Sequence, residues 1–232
     1  MRLWLSALLA ALSAFPACAA DATHPTVVEL FQSQGCSSCP PANAALIEFA
    51  RRPDVLALNF AVDYWDRLGW KDTFARPEYT RRQYDYARAL GGEGVYTPQV
   101  VVNGRVAGVG ADVAEIQALA TAGDRGAGGP ALRIDGGEVV VGSGAAPTGG
   151  ADVWLAFYDP KIVDVPVRRG ENAGRTLPHA FIVHGLVKLG RWDGAESRFP
   201  TPANEGGWAV AVWTQGADGG NILAAVTAAP AS

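Results

Sequence analysis

The sequence predicts an α/β domain followed by an antiparallel β-rich domain, and three observations carry that prediction. Between residues 25 and 122, short apolar runs alternate with helical stretches that have recognisable starts and stops. Residues 123–130 (GDRGAGGP) form a Gly-rich linker. From 131 to 232 there are only short strand-like runs separated by turn signals, with no helix of ordinary length.

In the first part, Val27–Phe31 is a short apolar strand. Pro40–Arg52 reads as a helix with proline at its start, where a missing N–H costs nothing. Val55–Val62 (VLALNFAV) is almost continuously apolar, as a strand buried on both faces should be. Pro77–Leu90 is a second helix, stopped by Gly91-Gly92. Val100–Val102 and Arg105–Val109 flank Asn103-Gly104, a type I′ hairpin signal. Asp112 caps a last helix that runs to about Ala122. The order is β-α-β-α-β-β-α. The later strands are expected at Ala131–Asp135, Glu138–Gly142, Val153–Tyr158, Ile162–Val167, Ala180–Leu189, Trp208–Thr214 and Ile222–Thr227, a sandwich-like extension over 131–232.

Composition narrows the function classes. With 232 residues, 49% hydrophobic and 18% charged, the chain is too apolar for intrinsic disorder. Its net charge of −4 offers no basic footprint for nucleic acid. Met1–Ala20 reads as a secretory signal peptide: Arg2, then the apolar Leu3–Phe15, then small residues around Cys18. The apolar run is too short for a membrane span, which takes about 20 residues. Cleavage would leave a mature chain with two cysteines and no span, in the periplasm or outside the cell, where disulfides persist.

Those two cysteines form Cys36-Ser37-Ser38-Cys39, after a strand and before a helix. The spacing lets the sulfurs meet across one turn. A helix start supplies unpaired N–H groups and a positive dipole end, which favour a thiolate. Cys36, at the exposed end, is the expected attacking sulfur, and Cys39 the buried resolving one. Three other readings stay open. One is a static structural disulfide, although so short a ring constrains little unfolded chain. Zinc lacks a four-ligand set, with only His24, His179 and His184 as soft partners. Two thiolates with a histidine suit Cu(I). His179 and His184 are five apart in a strand pattern and so face opposite sides. No cofactor or resident metal is called for.

Further candidates cluster around this motif. Tyr96-Thr97-Pro98 precedes the hairpin, about sixty residues after the cysteines. The loop Asp63–Asp72 follows the second strand and emerges on the same side of a parallel sheet as Cys36, so Tyr64, Trp65 and Trp70 are placed to wall a groove. Arg168–Arg175, with two glycines and Asn172, reads as a tight turn, with ligand contact by Glu171 or Arg175 as the lesser alternative. The linker is short enough to keep the β-rich part over the first, narrowing access to the cysteines.

VELFQSQGCSSCPPANAAL, VDYWDRLGWKDTFA, RQYDYA, VYTPQVVVNG and RGENAGRTLPHAFIV together resemble a secreted bacterial thioredoxin-like family filed as a domain of unknown function. The resemblance covers nearly all of the expected mature chain. It implies a thioredoxin-like domain over 21–122 and a thiol–disulfide oxidoreductase acting on protein thiols or disulfides. The matching residues are Cys36, Cys39 and Pro98, with a cis Thr97–Pro98 bond against the disulfide, and Thr97, Tyr96, Trp65 and Trp70 as substrate contacts. It also suggests Glu29, in the first strand, as a buried proton acceptor for Cys39. The chain departs from thioredoxin in Gly35, Ser37-Ser38 and Pro40-Pro41, and the prolines leave Cys36 just ahead of the helix. The rival class is a non-enzymatic binding or assembly module with a static Cys36–Cys39 clip.

Overall fold

The computed structural model describes residues 23–229; the expected leader Met1–Ala20 lies outside them. The first part folds as β1 (Thr26–Gln32), α1 (Cys39–Phe49), β2 (Val55–Ala61), a 3₁₀ turn (Asp66–Leu68), α2 (Pro77–Ala89), β3 (Gln99–Val102), β4 (Val106–Gly108) and α3 (Val113–Ala122). The local signals act as expected. Asn103 and Gly104 both have positive φ, 51° and 63°, as a type I′ turn requires. Asp112 accepts from the Glu115 N–H, and the Glu115 carboxylate reaches back to the N–H groups of Val109 and Ala111. On α2, Tyr79, Arg82, Gln83 and Tyr86 share one buried face at helical spacing.

The second part adds β5 (Leu132–Asp135), β6 (Glu138–Val141), β7 (Ala151–Asp159), β8 (Val163–Pro166), β9 (Thr176–His179), β10 (Ile182–Trp192), β11 (Ser197–Pro200), β12 (Ala209–Gly216) and β13 (Ile222–Ala228). Four of its strands join the sheet of the first part, and the others pair as β11-β6-β5 and β8-β9. The order β13-β12-β7-β10-β2-β1-β3-β4 is one eight-stranded sheet running through both parts. The join is β10 on β2, parallel at Ile182 and Asn59, with the Asn59 N–H bonded to the Phe181 carbonyl. β2 is therefore an interior strand with β1 on its other side, which is why VLALNFAV is so apolar. The linker is anchored too: Arg125 donates to the carbonyls of Pro25 and Leu223.

Side-chain alternation along the sheet defines two faces. On one, α2 covers a core of Val27, Phe31, Phe60, Tyr79, Tyr86 and Trp213, drawn from both parts. On the other, α1 and α3 pack Leu46 and Ile116 against Val28, Leu30, Val100 and Val102. Past β10 that second face is covered instead by the three-stranded sheet β11-β6-β5, where Val139 and Val141 meet Val153, Leu155 and Trp192. The sandwich-like layering expected of the β-rich half is present there, but one of its layers is the shared sheet. β9 and β11 were not among the expected strands.

Candidate functional site

β1 runs into a turn that returns at α1, and the two cysteines sit on that turn. They are joined as a disulfide, Cα atoms 5.5 Å apart. The Cys39 N–H bonds the Cys36 carbonyl, and α1 begins at Cys39 with prolines in its first turn. Pro40 and Pro41 carry no N–H, so the helix start offers fewer donors than its position suggests. The Thr97 carbonyl oxygen lies 3.8 Å from Cys36 Sγ. Ser38 Oγ is 3.3 Å from the same sulfur and 3.4 Å from the Thr97 oxygen. The Thr97–Pro98 peptide is cis, and Pro98 is buried.

The loop between β2 and α2 braces this turn. Trp65 Nε1 donates to Thr97 Oγ1 at 2.8 Å, tying that loop to the Thr-Pro segment. Its Cβ stands beside Gly35. Trp70 Nε1 donates to Gln34 Oε1 at 2.9 Å. Asp72, only 2% exposed, accepts the Gln34 N–H at 2.7 Å and the Phe74 N–H at 2.9 Å. Burial pushes the Asp72 carboxyl up to about 6 against the opposing pull of those two N–H donors.

The third element comes from the far half of the sequence. Between β8 and β9 the chain turns through Arg168–Arg175, and this turn lies on the cysteine loop. Asn172, fully buried, donates both amide hydrogens, to the Gln34 carbonyl at 2.9 Å and the Cys36 carbonyl at 2.8 Å. Arg175 holds the Asn172 side-chain oxygen from behind. Glu171 Oε2 accepts from the Ser37 N–H at 3.0 Å and from Ser37 Oγ at 2.7 Å. Those two bonds hold the Glu171 carboxyl below the usual carboxylate range. Gly170, at φ +77°, sits where a Cβ would come within 3.4 Å of the Trp70 Cβ, so the turn needs glycine for its conformation. With these contacts in place, Cys36 is 0% exposed and Cys39 1%. The expectation of an exposed Cys36 is corrected: Ser37 and Ser38 face solvent, and the sulfurs do not.

Residues 27–215 match the model of a family described as "Protein of unknown function (DUF1223)". The chain belongs to this family. It is also similar to the crystal structure of an Agrobacterium tumefaciens protein from the Northeast Structural Genomics Consortium, at 37% identity and a TM-score of 0.71, covering 88% of this chain and 93% of that one. No curated protein matches. The family match takes in the cysteine loop, Thr97-Pro98 and the Arg168–Arg175 turn together, so the cross-sheet contact lies within the region that defines the family.

Two expected site residues lie elsewhere. Glu29 faces α2, not α1. Its Oε1 accepts from Arg82 Nε and Nη2 at 3.0 and 2.7 Å, and both side chains are buried. Arg82 also donates to Tyr86 Oη and Gln215 Oε1 and is enclosed by the rings of Phe60, Tyr86, Trp154 and Trp213. The reason is parity: β1 residues of odd number point to the α2 side, away from the helix that carries Cys39. Tyr96 is turned outward at 42% exposure and lines a surface cavity with Tyr86, Leu90 and Arg105; its carbonyl accepts from Gln83. His179 and His184 stand on separate strands and flank the Phe74 ring. Among the described residues no three His, Cys, Asp or Glu side chains gather as metal ligands would, and no helix is long and apolar enough to cross a membrane. Gln34, Asp72 and Asn172 were not named as site residues, Asn172 only as part of a tight turn; Glu171 was named as the lesser alternative, a ligand contact on that turn.

Proposed function

We propose that this family member is a thiol–disulfide oxidoreductase of an oxidising compartment, exported by Met1–Ala20 and acting on protein thiols or disulfides through Cys36 and Cys39. The observation that carries the reading is the Thr97 carbonyl 3.8 Å from Cys36 Sγ. It joins two motifs 61 residues apart at one sulfur and leaves a backbone acceptor beside it. A sequence resemblance to thioredoxin-like proteins supports the same conclusion, as does the β-α-β-α-β-β-α order of the first part.

In the direction that oxidises a partner dithiol, one partner thiolate attacks Cys36 Sγ. The partner S–S bond to Cys36 forms, the Cys36–Cys39 bond breaks, and Cys39 leaves as a thiolate that takes up a proton. The second partner thiolate then attacks the first partner sulfur of the mixed disulfide, the partner disulfide forms, and Cys36 leaves as a thiolate. The partner has lost two electrons and two protons and gained a disulfide; the reverse sequence reduces a partner disulfide. Thr97, Trp65 and Trp70 line the approach, with Pro98 closing its floor.

The burial of both sulfurs favours a second reading, a static clip that holds the loop for binding or assembly. Reduction potential separates the two. Structural disulfides lie below about −300 mV, and working ones are more oxidising. Equilibrating the full mature chain in glutathione or dithiothreitol buffers should give a midpoint above about −300 mV, with catalysed reduction or oxidation of a protein substrate such as insulin. A midpoint below that value, with no turnover, overturns the reading in favour of the clip.

A further inference from the structure

We propose that Glu171, a residue of the β-rich half, is a positioning residue that sets the redox equilibrium of Cys36 by competing with its thiolate for the donors of Ser37. It deepens the thiol–disulfide reading and rests on that reading for its consequence in turnover. The coupling itself is read from the disulfide equilibrium alone.

The argument begins with the supply of donors. A Cys36 thiolate is stabilised by N–H and O–H groups pointed at it. Here that supply is short. Pro40 and Pro41 have none to give, the Cys39 N–H is committed to the Cys36 carbonyl, and the Cys36 N–H to the Ser33 carbonyl. Ser38 Oγ, 3.3 Å from the sulfur, is shared with the Thr97 carbonyl. On the residue after Cys36, Ser37 carries two further donors, and Glu171 Oε2 has taken both.

The cost of that arrangement depends on the redox state. A disulfide sulfur is uncharged and asks nothing of Ser37. After reduction, a Cys36 thiolate places a second negative charge one residue from the carboxylate. Like charges disfavour one another, so either the thiol stays protonated or Glu171 lets go. Both outcomes make the reduced form less favourable and the disulfide a weaker oxidant. Arg168, Arg169 and Arg175 lie on the same turn. Arg175 is bonded to Asn172, and Arg168 and Arg169 are exposed, so none of these cations is spent as an ion-pair partner of Glu171. The turn remains docked through buried Asn172 when the Glu171 charge is removed, which separates the electrostatic role from a structural one.

Glu171→Gln keeps an acceptor oxygen for Ser37 and deletes the charge. In the full mature chain, it should shift the equilibrium with dithiothreitol about tenfold toward the reduced protein, or about 30 mV for this two-electron couple. The alkylation pH profile of reduced Cys36 should fall by about one unit. Because Glu171 is exposed, both differences from wild type should shrink in 1 M salt, where the screening length is about 3 Å. A Glu171→Gln chain with wild-type potential and wild-type Cys36 profile overturns the proposal. So does a shift of full size that is insensitive to salt, since that would be conformational. These results are independent of the oxidoreductase reading. A wild-type midpoint below about −300 mV without turnover overturns that reading whatever the variant does. A working enzyme whose Glu171→Gln variant is unshifted sinks only the role of Glu171.

Discussion

Two carboxylates, Glu29 and Glu171, stand where the two parts of the chain touch, and the contrast between them is instructive. Glu29 lies in the first strand, seven residues before Cys36 in sequence, and has nothing to do with it in space. It is sealed with Arg82 among four aromatic rings, two of them, Trp154 and Trp213, from the β-rich half. Glu171 is 135 residues from Cys36, exposed, and bonded to its neighbour Ser37. Closeness in sequence put the wrong acid at the site. Facing, which is fixed by the two-residue period of a strand, put Glu29 on the far side of the sheet, and the β10–β2 pairing brought Glu171 within reach.

The largest expected effect tests the buried partner of that comparison. Removing one member of a buried ion pair leaves a charge without compensation, at a cost of about 3–5 kcal/mol. Glu29→Ala should lower the stability of the oxidised chain by that amount in denaturant unfolding, and Arg82→Ala should do likewise. The potential of Cys36–Cys39 should stay put. A small loss of stability with a changed Cys39 titration would restore Glu29 as a proton acceptor and break the contrast.

Asp72 supplies the next effect. Its carboxyl, about 6 in the fold against about 3.9 unfolded, binds its proton more tightly in the native state. The native chain therefore holds more protons than the unfolded one between about pH 4 and 6, and stability falls as pH rises through that window, by about 3 kcal/mol in all. Asp72→Asn should flatten this slope, whatever it does to stability at a fixed pH. Unfolding free energies measured at several pH values check it; an unchanged slope would locate the titration elsewhere.

Much of the frame was legible because it is encoded locally. Asn103-Gly104, Asp112, the proline helix starts and the apolar β2 each act within a few residues. The Cys-x-x-Cys and Thr-Pro motifs were legible as types, and Trp65 reaches Thr97 as the loop's position implied. What was not legible is pairing at long range. A Gly-rich linker looked like a domain boundary, yet β10 crosses back to pair with β2 at Asn59. That single register decision carries the β8–β9 turn onto the cysteine loop, and no periodicity in residues 163–179 announces it. The burial of Cys36 was missed for the same reason: nothing local in the loop announces that Asn172 comes from the far half to bond its carbonyls.

Asn172 gives a smaller effect that sharpens the comparison. Asn172→Ala leaves the Gln34 and Cys36 carbonyls without their amide donor, at a cost of about 1–3 kcal/mol. It should also speed reduction of the disulfide by a bulky dithiol protein more than by dithiothreitol, since the bulky reagent depends on the cover lifting. Equal acceleration of both reagents would mean that Asn172 supports the loop without covering it.

The smallest effect belongs to the exposed carboxylate. Glu171 titrates below its ordinary value because Ser37 donates to it twice. The sign follows directly: the contacts favour the ionised form, so what they contribute is present above the unfolded value of about 4.3 and lost as pH falls through the lower folded value. Acid should therefore loosen the turn from the Ser37 side while Asn172 still holds it. Reduction by a phosphine, which remains active in acid, can be followed for wild type and Glu171→Gln at each pH. Taking the ratio of the two rates cancels the reagent's own pH dependence. The ratio should differ from one at pH 7 and approach one as the pH drops through the low folded value of Glu171. A ratio that stays constant across the acid range would show that the carboxylate's charge does not govern access, and would leave the Glu29 cluster as the only one of the two contacts in which charge matters.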